Sequence, residues 1–555
     1  MLRPIVSPVS GPAWSAPARF ARAMGDSKRL KRSVFTGAVA SIAMLSLLGA
    51  GCSSSSDSSN GEGSASGDSE RTTTTMSSAP FNPHSPDEVS LVAGGPADIA
   101  VPQPAAALPE GYLMEEYFVG GTATSFSAID MSEDGRWVAE PDAEAPYRTR
   151  VIVRRPLDPA AFSGTVVVEW FNVSAIEAAP DWTYLATEIA REGHAYIGVS
   201  AQRQGIEGGE TILSVEVDDQ QAAAAGVDAD PSGIKNTDPE RYGTLAHPGD
   251  AYSFDMFSQV GRVAQASPQS LLGDLVPTQV IAAGESQSAM FMSTLVNAVH
   301  PLSPVFDGFL IHSRASLAAP LDGDYAFVRE LREGGQGSQF RTTIRDDLDV
   351  PVLLFVTETD LTALRYSEVR QPDSARIRTW EVAGTAHADA HLLRALLGGP
   401  RDPGIGAILG CGPINTGPHM EVLTAGFHHL VAWTAGGEAP PTGALLELEP
   451  GDEVALARDP RGNALGGVRN PLIDVPIARI DGDPVATEGG SDELCSLFGS
   501  TEPFDQATLL ELYGSADEYV RRFRESAAVA VGSGFLLQSE ADALIEEAEA
   551  NRSLF

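Results

Sequence analysis

The stretch Thr278-Gln-Val-Ile-Ala-Ala-Gly284-Glu285-Ser286-Gln287-Ser288-Ala289 decides how this chain folds. An apolar run of β type ends in a glycine, and a helical pattern takes over from residue 289 to 298. Strand, sharp turn and helix, with a serine at the apex, hold a hydroxyl clear of a sheet. Small residues on both sides, Gly284 and Ser288, suit a crowded turn. Working outward, residues 150–154, 165–169 and 195–199 read as strands upstream, and 306–311, 351–356 and 377–382 downstream. Between them, residues 181–191 place Trp182, Leu185 and Ile189 at helical spacing, and 251–266 read as a second helix. Alternating strands and helices predict the α/β class, a mostly parallel central sheet with helices on both faces. Sites in such sheets lie at the carboxyl ends of strands.

The chemistry-bearing residues fall at those ends. A serine hydroxyl is a weak nucleophile until a base takes its proton, and the base needs a third group to orient it. After Ser286 come the carboxylates of Thr357-Glu358-Thr359-Asp360, just past a strand, with Asp360 favoured as the acid and Glu358 as the alternate. His387 follows the next strand through the small turn Ala383-Gly384-Thr385-Ala386 and is the expected base. An oxyanion needs two N–H donors. Gln287 is expected to supply one, and the loop Phe171, Asn172, Val173 after the strand at 165–169 the other. The same region allows a rival reading, since His387, Asp389 and His391 are metal-ligand types, though a segment running into the helical residues 392–397 does not put alternate residues on one face. A second rival is a non-catalytic binding protein on the same scaffold.

The chain carries 75 acidic and 37 basic residues, a net charge of −38, which repels phosphate backbones and argues against a nucleic-acid partner. Residues 1–51 read as an export signal: a basic segment, Lys28-Arg29-Leu30-Lys31-Arg32, then the apolar run 34–48. Its end, Leu47-Leu48-Gly49-Ala50-Gly51-Cys52, resembles a bacterial lipoprotein signal, in which Cys52 is lipidated and anchors the protein to a membrane; the alternatives are cleavage without lipidation, giving a periplasmic or secreted protein, or an uncleaved anchor. Residues 52–85 are a Ser/Gly/Thr-rich flexible tether. With Cys52 lipidated, Cys411 and Cys495 are left, expected as a disulfide pair in an exported protein, with two free buried thiols as the alternative. The Gly/Asp-rich residues 205–249 and residues 317–341 are candidate substrate walls. Asp250 is expected to cap the helix after it, Arg365 and Arg469 to form structural salt bridges, and His428-His429 to pack within a helix at 422–433.

Several blocks resemble, in order, those of a bacterial α/β-hydrolase-domain family of serine hydrolases with a Gly-Glu-Ser-Gln-Ser elbow. They are Val167-Val-Glu-Trp-Phe-Asn-Val-Ser174, Gly198-Val-Ser-Ala-Gln202, His247-Pro-Gly-Asp-Ala-Tyr-Ser-Phe-Asp255, Gly284-Glu-Ser-Gln-Ser-Ala289, Phe355-Val-Thr-Glu-Thr-Asp360, Gly412-Pro-Ile-Asn415, Gly462-Asn-Ala-Leu-Gly-Gly-Val-Arg469 and Cys495-Ser-Leu-Phe-Gly-Ser500. The resemblance implies an α/β-hydrolase fold over one domain, 86–555, including a C-terminal extension. It puts Ser286 in the nucleophile place and His387 in the base place. It leaves the acid open between Asp360 and Glu358. The expected activity is hydrolysis of a small or polymeric carboxylic ester, with no metal or organic cofactor.

Overall fold

Strand Thr165–Trp170 (β4) is buried at every position, as a strand covered on both faces must be. Its side chains alternate between two cores. Val166, Val168 and Trp170 point into one; Val167 and the following Phe171 into the other. Ala195–Val199 (β5), Gln279–Glu285 (β6), Gly308–His312 (β7), Val352–Val356 (β8) and Ile377–Glu381 (β9) are equally apolar. With Glu88–Leu91 (β1), Tyr112–Asp130 (β2) and Val138–Pro156 (β3) they form one nine-stranded sheet of order β1-β2-β3-β5-β4-β6-β7-β8-β9. Every pair from β5 to β9 is parallel, and the pairs on the β1 side are antiparallel. The helix Ser253–Ala266 packs on one face through Phe254, Phe257 and Val260. Helices Pro180–Glu192 and His419–Thr434 cover the other through Leu185, Ile189, Val422 and Phe427.

The computed structural model describes residues 81–95, 98–100, 108–209, 233–324, 340–397, 403–451, 454–487 and 492–555, all within one compact unit. The expected signal, most of the tether, and residues 210–232 and 325–339 of the two candidate walls lie outside the described residues.

Three features depart from the sequence reading. The strand expected at 150–154 is the end of a 19-residue strand paired along a 19-residue neighbour, β2. The outer half of that hairpin is Ala139-Glu-Pro-Asp-Ala-Glu-Ala-Pro-Tyr147, largely exposed, so it lacks the apolar alternation that marks a strand. The extension adds a small hairpin, Ala478–Asp481 (β10) with Ser500–Pro503 (β11). It also adds three helices, Gln506–Tyr513, Ala516–Gly532 and Gln538–Ala550, around Tyr513, Tyr519 and Phe523. Asp250 caps nothing: Gly249 precedes the short helical turn, and the Asp250 carboxylate instead accepts the Arg203 N–H at 2.7 Å. Other expectations hold. Cys411 and Cys495 are bonded, with Cα atoms 5.5 Å apart. Arg365 pairs with Glu368 and Arg469 with Asp474. His428 meets Glu188, and His429 meets the Gly534 carbonyl.

Candidate active site

Ser286 sits between β6 and the helix Gln287–Thr294, at φ 58° and ψ −117°. A non-glycine residue in that region is strained and is held there only by its surroundings. Two things hold it. Its N–H donates to the His312 carbonyl at the end of β7, 2.9 Å away. The turn is also too tight for a side chain before it: a Cβ on Gly284 would lie 2.9 Å from Met292 Cγ and 3.1 Å from Ser288 Cβ. The same contact explains the small Ser288, fully buried where the usual pattern has glycine.

His387 Nε2 lies 2.7 Å from Ser286 Oγ, and His387 Nδ1 lies 2.6 Å from Asp360 Oδ1. Asp360 is the third residue of a helical turn, Glu358–Thr362, and closes a capping box with Thr357: its Oδ2 accepts the Thr357 N–H at 2.8 Å while Thr357 Oγ1 accepts the Asp360 N–H. The carboxylate is therefore fixed from both oxygens. Burial would raise Asp360 and lower His387, but their mutual charge and hydrogen bond win. Asp360 ends below the ordinary carboxylate range and His387 above the ordinary imidazole range.

Glu358, two residues away, faces elsewhere. It accepts the N–H of Gly384 at 2.5 Å and of Gly482 at 3.1 Å, and meets Arg458 at 3.2 Å. Burial raises it to about 7, with Arg458 and both N–H groups opposing. It is a knot under the His387 loop, not a partner of the imidazole. That loop turns at Gly384, φ +77°, where a Cβ would run into Ile473.

The residues of the rival metal reading are each committed separately. Both His387 nitrogens are engaged as above. Asp389 Oδ1 accepts the N–H of His391 and of Leu392, starting the helix Ala390–Leu397, and the Tyr184 hydroxyl. His391 Nε2 reaches the Thr183 carbonyl at 3.2 Å. Among the described residues, the group whose ligand atoms converge is instead Glu188, Glu192 and His428, where Arg191 already pairs with Glu188.

The three loop N–H groups among the expected oxyanion donors separate. Phe171 N–H goes to the Val199 carbonyl and Asn172 N–H to the Ala178 carbonyl, so both are spent on local β contacts. Val173 N–H donates to Gln287 Oε1 at 3.2 Å, across the gap to the elbow. Gln287 itself is the first residue of its helix. The Asn172 side chain ties the two segments together, donating to the Glu285 carbonyl at 3.1 Å and to Glu285 Oε2 at 3.2 Å.

Sequence reasoning gave no role to Glu285, Asp181, His312 or His419. Glu285 Oε1 lies 3.6 Å from His387 Nε2, and burial raises it to about 8, with His387 opposing. His312 Nδ1 lies 2.9 Å from Asp181 Oδ1, and His312 Nε2 lies 2.6 Å from His419 Nε2. Partners more than a hundred residues apart leave no local sequence signal.

A mostly parallel sheet with helices on both faces and a strained serine between strand and helix defines an α/β-hydrolase fold. The chain belongs to the alpha/beta hydrolase domain family, which matches residues 77–546. No curated protein matches the chain. Similar solved structures include acetyl xylan esterase 1 from a Thermoanaerobacterium species, 10% identical over 54% of this chain and 81% of that one, TM-score 0.26. Esterase Est22 is 13% identical over 53% and 79%, TM-score 0.29. The cell-wall-degrading esterase LipA from Xanthomonas oryzae is 10% identical over 54% and 90%, TM-score 0.28.

Proposed function

We propose that this protein hydrolyses carboxylic esters by nucleophilic catalysis at Ser286. The observation that carries the reading is the unbroken contact chain from Ser286 Oγ through His387 to Asp360, at 2.7 and 2.6 Å. His387 takes the hydroxyl proton as Oγ attacks the ester carbonyl, and Asp360 holds the imidazolium that forms. The Gln287 N–H and the Val173 N–H receive the oxyanion, the latter once the substrate oxygen replaces Gln287 Oε1. The imidazolium protonates the leaving alcohol. Water, deprotonated by His387, then cleaves the acyl-enzyme and restores the serine. Glu285, raised by burial to about 8, stays protonated at neutral pH, so the imidazole faces one ionised carboxylate rather than two.

The protein works outside the cytosol in this reading, held at the cell envelope by lipid on Cys52. Loss of labelled palmitate from a Cys52→Ala variant would support the anchor, and an unchanged label would sink it. The catalytic reading is tested with a soluble form starting after Cys52 and a fluorophosphonate probe, which phosphonylates activated serines. Labelling of wild type that vanishes in Ser286→Ala supports it. A folded wild type that takes no label removes it.

A further inference from the structure

Under the proposed site lies a chain of three buried groups whose protons can be counted. His419 Nδ1 is 3.0 Å from the Ala386 carbonyl, next to His387. A carbonyl only accepts, so His419 Nδ1 carries a proton. The 2.6 Å contact between the two Nε2 atoms needs one proton between them, and the 2.9 Å contact from His312 Nδ1 to Asp181 Oδ1 needs another. That makes three protons for three contacts. An ionised aspartate with two neutral imidazoles brings only two. One contact would then set lone pair against lone pair: Nε2 on Nε2, or His312 Nδ1 on a carboxylate.

We propose that Asp181 is a positioning residue that must hold this third proton for the Ser286–His387 pair to stay assembled. The inference rests on the serine-hydrolase reading. The trio touches both halves of the pair through the backbone: the His312 carbonyl accepts the Ser286 N–H, and the Ala386 carbonyl receives His419. A second observation agrees. Asp181 Oδ2 is buried with no hydrogen-bond partner among the described residues. A buried carboxylate would leave charge on a bare oxygen, which is costly, whereas a neutral acid leaves only a carbonyl.

The surroundings point the same way. A neighbouring carboxyl is Glu169 on β4, which accepts the Asp181 and Trp182 N–H groups and the Tyr196 hydroxyl. Glu285 on β6, Asp360 and Asp389 are the other acids nearby, and His387 is the remaining titratable base. The Tyr184 ring stacks on His419 with centroids 4.3 Å apart, so the imidazole is sealed from water. Burial raises Asp181, and it drives His312 and His419 down to about 3, so the third proton rests on the carboxyl.

The test is the pH profile of fluorophosphonate labelling and ester turnover from about pH 5 to 10, beside thermal unfolding and the infrared band of a protonated carboxyl. Wild type should lose rate at alkaline pH as Asp181 ionises. Asp181→Asn donates permanently to His312 Nδ1. It should keep the neutral rate to within about threefold and lose the part of the alkaline limb that Asp181 causes, while Asp181→Ala should lose tenfold or more at neutral pH though folded. The folded state holds a proton that the unfolded chain releases above the ordinary carboxylate range. Wild-type stability should therefore fall relative to Asp181→Asn as pH rises from that range. Glu285, raised to about 8, contributes to the alkaline limb in both proteins, so a limb that Asp181→Asn leaves wholly unchanged overturns the proposal, as does the absence of a protonated-carboxyl band that the variant removes. The infrared and unfolding readouts need no turnover, so they decide the proton even if the ester reading fails.

Discussion

Asp360 and Glu358 stand two residues apart in one helical turn, both fully buried, yet they belong to different parts of the molecule. Asp360 faces the serine side: one oxygen on His387, the other on its own capping box. Glu358 faces the C-terminal extension: Gly482 and Arg458 on one side, Gly384 of the His387 loop on the other. One sits against an imidazole and is lowered; the other is buried among backbone donors and a single arginine and is raised. The difference separates orienting the His387 imidazole from anchoring the loop that carries it.

Mutations can sharpen or break that separation. Ser286→Ala should have the largest effect, lowering ester turnover by about 10⁴-fold or more and leaving unfolding unchanged. Asp360→Asn should cost about 10³- to 10⁴-fold in turnover. His387 acts as a base only when neutral, and its carboxylate partner holds it above the usual range. Wild-type rate should thus rise as pH climbs through that raised value, and the rise should move to lower pH in Asp360→Asn. Glu358→Gln should reverse the pattern, costing about 1–3 kcal/mol of stability in denaturant unfolding and less than about tenfold in turnover at neutral pH. If it proves as damaging to turnover as Asp360→Asn with stability intact, the separation of roles is wrong. Cys411→Ser should have the smallest effect on turnover, none measurable, while lowering stability by about 2–4 kcal/mol through the long loop it opens.

The parallel half of the sheet was legible because strands buried on both faces read as apolar runs, such as Val352-Leu-Leu-Phe-Val356. The β2–β3 hairpin was not, since its outer half is solvated and carries Glu, Asp and Pro where alternation would be needed. Ser286 and His387 were legible from the turn before each. The choice between Glu358 and Asp360 was not, because both follow β8 within one turn and only their partners distinguish them. The approach of the 171–173 loop to the elbow was legible, but not which of its N–H groups points there. Phe171 and Asn172 spend theirs on Val199 and Ala178, contacts made by the folded chain.

By itself the sequence determined the α/β class, the strand–serine–helix turn, the order of the serine, acid and histidine along the chain, and the cysteine pair. Each is written in local pattern or composition. The tertiary structure decided which carboxylate meets His387, which backbone N–H faces the elbow, and the joining of Asp181, His312 and His419. Hydrogen bonds act over about 3 Å whatever the separation along the chain, and burial, which sets how strongly a charge is felt, exists only once the chain has packed.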